Sequence, residues 1–174
     1  MKRIMVIGCS GSGKSTFTRR LHQLTQLPAI HLDQAYWKPN WVEPSKKEWR
    51  SIVTKLSSQE SWIMDGNYSG TWDVRIPRAD TIIFLNKSTT TCLYRVLKRI
   101  FQNYGKVRSD MTEGCPERLD AIFLHYVLMY DRTRRASILK TLEELKGEKQ
   151  VFVFSENKDI EKFLQEKKII SDEN

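Results

Sequence analysis

No apolar run in the 174-residue sequence approaches the roughly 18 residues that a membrane-spanning helix needs, so no membrane partner is expected. The opening Met1-Lys2-Arg3-Ile4-Met5-Val6-Ile7 is basic, but its apolar stretch is too short for a secretory signal and runs straight into glycines. Cysteine is scarce. Cys9, Cys92 and Cys115 are odd in number and widely spaced, which argues against a disulfide scaffold and for a reducing cytoplasmic setting. No CxxC pair exists to suggest a structural zinc site. Internal repeats, low-complexity linkers and the common helix-turn-helix, zinc-finger or RNA-recognition motifs are all missing. Between Lys87 and Arg108 there is no acidic residue at all.

What is present has a globular balance. Hydrophobic residues make up 40% of the chain and charged residues 29%, and the length suits a single domain spanning 1–174. Lys and Arg number 29 against 21 Asp and Glu, a formal net charge of +8. Six of the basic residues fall in the acid-free stretch: Lys87, Arg95, Lys98, Arg99, Lys106 and Arg108. A local excess of this kind suits a binder of polyanions, either nucleic acid or nucleotide phosphates.

Short apolar runs at 4–7, 29–32, 62–64, 81–85 and 151–154 read as strands buried on both faces. Helical patterns separate them. One covers 14–25, and a second follows the capping box Ser45-Lys46-Lys47-Glu48 to about residue 58. A third is capped by Ser88 and runs to about Tyr104, where Gly105 is placed to end it. A fourth pattern opens with Pro116 in its first turn and continues through Leu145, as two helices joined near 131–135. The tail from Glu156 to Asn174 reads as an exposed helix with a frayed end. Strands alternating with helices imply a parallel sheet between helical layers.

Gly8-Cys9-Ser10-Gly11-Ser12-Gly13-Lys14-Ser15 matches G-x-x-x-x-G-K-[ST] between a strand and a helix. Glycines at these places let successive backbone N–H groups turn inward onto phosphate oxygens, and the helix start favours the same anion. Lys14 is placed to reach the β- and γ-phosphates, and the Ser15 hydroxyl suits Mg²⁺, a hard cation that prefers oxygen. Cys9 sits inside the loop as a small filler or a reactive thiol. Two acids are expected at strand ends beside this loop, Asp33 closing the second run and Asp65 closing the third. Asp65 suits contact with Mg²⁺ and its waters. Asp33 suits orienting an acceptor hydroxyl or taking its proton. His31 reads as a satisfied core histidine.

These residues resemble the adenylate kinase-like branch of the P-loop kinases, which includes shikimate and gluconate kinases. The carriers are the phosphate loop, the Met64-Asp65-Gly66 turn and the Arg95…Arg99 pair. The segments His31-Leu32-Asp33-Gln34-Ala35-Tyr36-Trp37-Lys38-Pro39-Asn40-Trp41 and Trp62-Ile63-Met64-Asp65-Gly66-Asn67-Tyr68 resemble more closely the bacterial DNA topology modulation proteins of FlaR type. The resemblance reaches to about Leu164. It implies a three-layer α/β/α P-loop fold with a five-stranded parallel sheet of order 2-3-1-4-5, and it implies ATP and Mg²⁺. It implies a lid at about 102–116 and an acceptor-binding arm at about 34–60. By position, Ser10 and Ser12 belong to the ATP-binding loop, Thr16 reaches the α-phosphate, Arg95 the adenine and Arg99 the phosphates. One of Arg132, Arg134 and Arg135 closes on the γ-phosphate. Adenylate kinases continue the Asp-Gly turn with Phe-Pro-Arg, whereas Asn67-Tyr68-Ser69 stands here. That departure argues against AMP as acceptor and leaves Asn67, Arg75 and Arg78 as candidate acceptor contacts.

Trp37 and Trp41 either line a pocket for a planar acceptor or pack the arm against the core. The expected activity is transfer of the ATP γ-phosphoryl group to a small acceptor, by a monomer or dimer. Lys14, Asp33, Arg99, Arg132 and Arg135 are the candidate catalytic residues. The competing readings are a nucleic-acid-associated ATP-binding regulator and a nucleotide-binding module without transfer.

Overall fold

A computed structural model describes residues 1–172, with side chains to residue 169. The frayed end expected at 173–174 lies outside the described residues. In chain order the elements are β1 (Arg3–Gly8), α1 (Lys14–Thr25), β2 (Ala29–His31), α2 (Leu32–Tyr36), α3 (Lys46–Ser57), β3 (Trp62–Asp65) and α4 (Trp72–Arg75). There follow β4 (Thr81–Leu85), α5 (Thr89–Asn103), α6 (Ala121–Tyr130), α7 (Ala136–Leu145), β5 (Gln150–Phe154) and α8 (Asn157–Asp172).

The five strands form one parallel sheet in the order β2-β3-β1-β4-β5. Alternation along the strands divides the core in two, because successive side chains point to opposite faces. Met5, Ile7, Met64, Ile82 and Phe84 pack with Val53 of α3, Val96 of α5, Val127 of α6 and Leu142 of α7. Ile4, Val6, Ile63, Ile83 and Leu85 pack on the other side with Phe17 and Leu21 of α1 and Phe163 of α8. The central strands β1, β3 and β4 are buried on both faces, as their unbroken apolar runs require. The result is a three-layer α/β/α fold.

Two helix starts follow their capping residues. Ser45 accepts from the Glu48 N–H, and Ser88 accepts from the Thr91 N–H. Two expectations are corrected. Pro116 does not open a helix, because the neighbouring backbone is already used by a parallel bridge. Gly105 N–H donates to Glu117 O and Glu117 N–H to Lys106 O, both at 2.9 Å. Helix α6 begins at Ala121 instead, with the Asp120 carboxylate accepting from the Phe123 N–H at 2.9 Å. The second strand also ends early. Leu32 already starts a helical turn, so Asp33 sits on the first turn of α2 and not at the end of β2. The junction of α6 and α7 is a π-helical turn over Asp131–Arg135. One extra residue in that turn re-aims its three arginines.

Candidate functional site

The phosphate loop leaves β1 with Gly8, Gly11 and Gly13 at φ of 153°, 83° and 99°. Gly11 is required twice over: its φ is left-handed, and a Cβ there would lie 2.4 Å from the Cys92 carbonyl oxygen at the start of α5. The Lys14 ammonium donates to the Gly8 and Cys9 carbonyls at 2.9 and 3.1 Å, folding back across the loop. Cys9 is 1% exposed. The adjoining Cys92 thiol and burial push its own thiol up, so it stays protonated.

A cavity of about 530 Å³ opens over this loop. Ser10, Gly11, Gly13, Lys14, Ser15 and Thr16 form its floor. Asp33 and Asp65 lie on one side, and Arg95, Arg99 and Arg108 on another. Ser12 belongs to the loop but is buried beneath it. Arg95 Nη1 donates to the Ser12 carbonyl at 3.4 Å. The Asp65 carboxylate accepts from His31 Nδ1 at 2.7 Å. Burial works to neutralise this imidazole, but the hydrogen bond and charge of Asp65, with Asp110 beyond, outweigh it and raise the His31 pKa. His31 is thus satisfied, as expected, by the acid singled out for metal contact. The hydroxyl of Ser15 and the carboxylates of Asp65 and Asp33 form a hard-oxygen donor set of the kind Mg²⁺ takes, and the cationic rim suits a polyphosphate.

The turn after β3 is held from beneath. Gly66 takes φ 135°, and Tyr68 takes a left-handed φ of 33° that a tyrosine rarely adopts. Arg75, 0% exposed, donates to the carbonyls of Gly66 and Tyr68, each at 3.0 Å, and to that of Asn67. Burial pushes its guanidinium down to about 9. Arg75 is therefore corrected from an acceptor contact to a buried brace; its Nη1 and Nη2 donate to the backbone. Asn67 is corrected likewise. Its Oδ1 accepts from the Gly8 N–H at 3.0 Å and its Nδ2 donates to the Tyr126 hydroxyl at 3.2 Å, tying the turn to the phosphate loop. The brace presents Tyr68, whose hydroxyl donates to Asp33 Oδ1 at 2.7 Å. Burial and the Asp33 charge push the Tyr68 pKa far up, so the phenol remains a donor.

A second cavity, about 400 Å³, adjoins the first and shares Asp33, Arg99 and Arg108 with it. Trp37, Trp41, Phe123 and Tyr126 give it aromatic walls. Trp37 and Trp41 meet edge to face, with ring centroids 5.3 Å apart. Tyr36 and Trp49 instead pack inward, against each other and Tyr68, at centroid distances of 4.8–4.9 Å. Trp37 and Trp41 thus line a cavity, while Tyr36 and Trp49 pack the arm against the turn after β3. Segments 34–41 and 109–116 are laced together around this cavity. Gln34 Nε2 donates to Ser109 O at 2.6 Å, Thr112 Oγ1 to Gln34 O at 2.8 Å, and Trp41 Nε1 to Pro116 O at 3.2 Å.

The arginines expected to close on the γ-phosphate do not reach either cavity. Arg132 points into solvent, and Arg135 pairs with Asp131 at 3.6 Å. Arg134 lies 5.3 Å over the Tyr126 ring. The π-helical turn carries all three to the outside of the α6–α7 junction. Arg108 takes the inner position, and sequence reasoning did not single it out. Its Nε is 2.5 Å from Glu117 Oε1, and its Nη1 donates to Asp110 at 2.9 Å. Arg99 Nε approaches the same Glu117 oxygen at 3.1 Å. Burial and Arg108 lower the Arg99 pKa, with Glu117 opposing them. Burial works to raise Asp110, but Arg108 and the Ser15 hydroxyl outweigh it and hold the carboxyl below its usual range. The acid-free stretch gave a signal for Arg108; nothing local marked Asp110 or Glu117.

No protein-family model matches the chain. Among solved structures it is similar to shikimate kinase from Bacteroides thetaiotaomicron, with TM-score 0.56 and 17% identity over 95% of each chain. Shikimate kinase from Acinetobacter baumannii in complex with shikimate aligns with TM-score 0.59 and 13% identity, over 95% of this chain and 90% of that one. A sugar kinase from Janibacter sp. HTCC2649 gives TM-score 0.52 and 16% identity, over 95% and 91%. At these identities the likeness establishes the fold, which is that of the P-loop kinases. In sequence the chain is 31% identical over 134 residues to the uncharacterized protein YqaC of Bacillus subtilis (strain 168), covering 75% of this chain and 73% of that protein. A P-loop kinase fold with this degree of identity over three-quarters of its length places the chain in the family of Bacillus subtilis YqaC.

Proposed function

We propose that this chain is an ATP- and Mg²⁺-dependent phosphotransferase acting on a small hydroxyl-bearing acceptor. The observation that carries the reading is the junction of its two cavities. One lies over the phosphate loop and the other is walled by aromatics, and Asp33, Arg99 and Arg108 belong to both. In-line transfer needs donor phosphate and acceptor hydroxyl to meet at such a junction, with cations where charge develops.

In this reading backbone amides of the phosphate loop not already bonded within the protein and the Lys14 ammonium bind the polyphosphate, and Lys14 leaves the Gly8 and Cys9 carbonyls to do so. Thr16 lies toward the α-phosphate and Arg95 toward the base. Ser15 and Asp65 would hold Mg²⁺, which would supply positive charge to neutralise the phosphates. His31 keeps Asp65 oriented. Asp33 accepts the acceptor hydroxyl's hydrogen bond through the oxygen that Tyr68 does not occupy. Arg99 and Arg108 stabilise the transferring group. Residues 102–116 act as a lid and 34–60 as the acceptor arm. Closing them excludes water and limits wasteful hydrolysis.

A nucleic-acid role gains little from the basic stretch. Lys87 is buried on the Ser155 carbonyl at 2.7 Å, and Arg95, Arg99 and Arg108 line the cavities. Only Lys98 and Lys106 of the six stand exposed. The test is ADP release from Mg·ATP across a panel of nucleosides, sugars and small alcohols. Acceptor-dependent release that Lys14→Ala abolishes is expected. Binding of ATP with no acceptor-dependent release over a broad panel would leave a nucleotide-binding module without transfer.

A further inference from the structure

The second cavity holds three arginines, and each has a carboxylate within ion-pair distance. Buried Glu117, 5% exposed, lies 3.1 Å from Nε of Arg99 and 2.5 Å from Nε of Arg108. Arg108 is further engaged by Asp110. At the rim, Arg118 lies 3.5 Å from Asp120 and 5.4 Å over the Trp41 ring. Two lining carboxylates, Asp33 and Glu43, form no ion pair among the described residues. Asp33 accepts only from the neutral Tyr68 phenol. The unbalanced charge in this cavity is therefore negative.

An anionic acceptor would meet uncompensated carboxylates in a half-buried site, where Glu117 already offsets the charge of the inner guanidinium groups. The aromatic walls favour flat rings, and aromatic faces favour cations over anions. We infer that the acceptor carries no anionic group: it is a neutral or cationic hydroxyl compound with a flat ring, and Glu117 enforces this by offsetting the charge that Arg99 and Arg108 bring to this cavity. A nucleoside fits and its monophosphate does not. Shikimate, a carboxylate, is excluded. The inference rests on assigning the second cavity to the acceptor.

Two matched series test it, with the phosphate-loop site saturated by a non-hydrolysable ATP analogue and Mg²⁺. One series is tyrosol, tyramine and 4-hydroxyphenylacetate, which share a ring and differ in charge. The other is the four ribonucleosides against their 5′-monophosphates. Quenching of tryptophan fluorescence reads binding, since Trp37 and Trp41 line the cavity, and ADP release from ATP reads transfer separately. At least tenfold tighter binding of uncharged or cationic members is expected. Glu117→Gln should narrow that gap at least fivefold by freeing the inner arginines. Should that variant misfold, Asp120→Asn keeps the α6 cap, frees Arg118 and should improve binding of the anionic members about twofold. Tighter binding of the anionic members to the wild type overturns the inference, as does silence of both series. Binding of neutral members without ADP release refutes the kinase reading and leaves this one standing; transfer to anionic members alone does the reverse.

Discussion

The two cavities meet at the same three side chains but are built by opposite means. The floor of the one over the phosphate loop is made from nearly consecutive residues, Ser10 to Thr16, whose glycine conformations and helix start turn backbone amides toward it. The aromatic one is made from side chains of α2, α5, α6 and the 104–120 connection, brought together by tertiary packing. Its arginines each have a carboxylate within ion-pair distance, whereas Asp33 and Glu43 have no such partner among the described residues, and its shape depends on uncommon backbone geometry. Asn40 and Trp41 take φ of 64° and 61°, and Tyr68 takes 33°. Hydrogen bonds from Asn40 N–H to Gly114 O at 3.0 Å and from Trp41 Nε1 to Pro116 O hold the first two in place. Strain of this kind, worth about 1–3 kcal/mol per residue, persists only where surrounding structure over-determines it. The contrast teaches that a site for a common ligand can be written locally, whereas a site for a particular ligand is assembled from afar.

The largest effect that would break the contrast is at Lys14. Lys14→Ala should reduce ADP release by about 10²–10³-fold, the scale for losing one donor to developing charge, while the melting temperature stays near wild type. Arg75→Ala should act in the opposite sense. It leaves the Gly66 carbonyl without its donor, takes one hydrogen bond from each of the Asn67 and Tyr68 carbonyls and opens a buried void, costing about 3 kcal/mol or more in urea unfolding. A stable Arg75→Ala protein with only a raised acceptor KM would return Arg75 to the binding residues. Arg108→Ala should lower kcat about a hundredfold, and Arg132→Ala less than twofold, because the second is a solvent-facing side chain. Equal effects would mean that the π-helical turn swings inward during turnover. Tyr68→Phe removes one hydrogen bond to Asp33, about 1 kcal/mol, and should lower kcat several-fold with little change in ATP binding.

The smallest effect lies outside both cavities. Burial alone would raise Asp80, but the N–H groups of Arg3 and Lys2 and the Thr81 hydroxyl hold it below its usual range. A carboxylate lowered by folding stabilises the native state fully above its unfolded pKa, about 3.9, and loses that stabilisation as pH falls through the lower folded value. Asp80→Asn should therefore flatten the decline of stability below about pH 4 and leave ADP release at pH 7 unchanged, as urea melts across pH would show.

Much of the scaffold was legible locally. The strand runs, the loop motif and the Ser45 and Ser88 caps depend on neighbours within a few residues, and each sits where its pattern predicts. Misreadings occurred where a distant segment competed. Pro116 looked like a helix start until the 104–106 backbone claimed its surroundings. Arg75 looked like a substrate contact because its sequence position does not reveal that the 66–68 turn folds over it. Arg132 and Arg135 have the right chemistry, but one extra residue in a helical turn sends them away from the cavities.

The sequence by itself determined the parallel sheet, the phosphate loop and the placing of Ser15 beside it, because hydrophobic periodicity and glycine conformation are local properties. Only the tertiary structure decided which arginines line the cavities, which of them lie against Glu117, and which acid Tyr68 holds. The polar contacts that shape the site span 9 positions between Arg108 and Glu117 and 35 between Tyr68 and Asp33. Such pairs exist only once the sheet and its helices have brought distant residues within a few ångströms and removed the water between them.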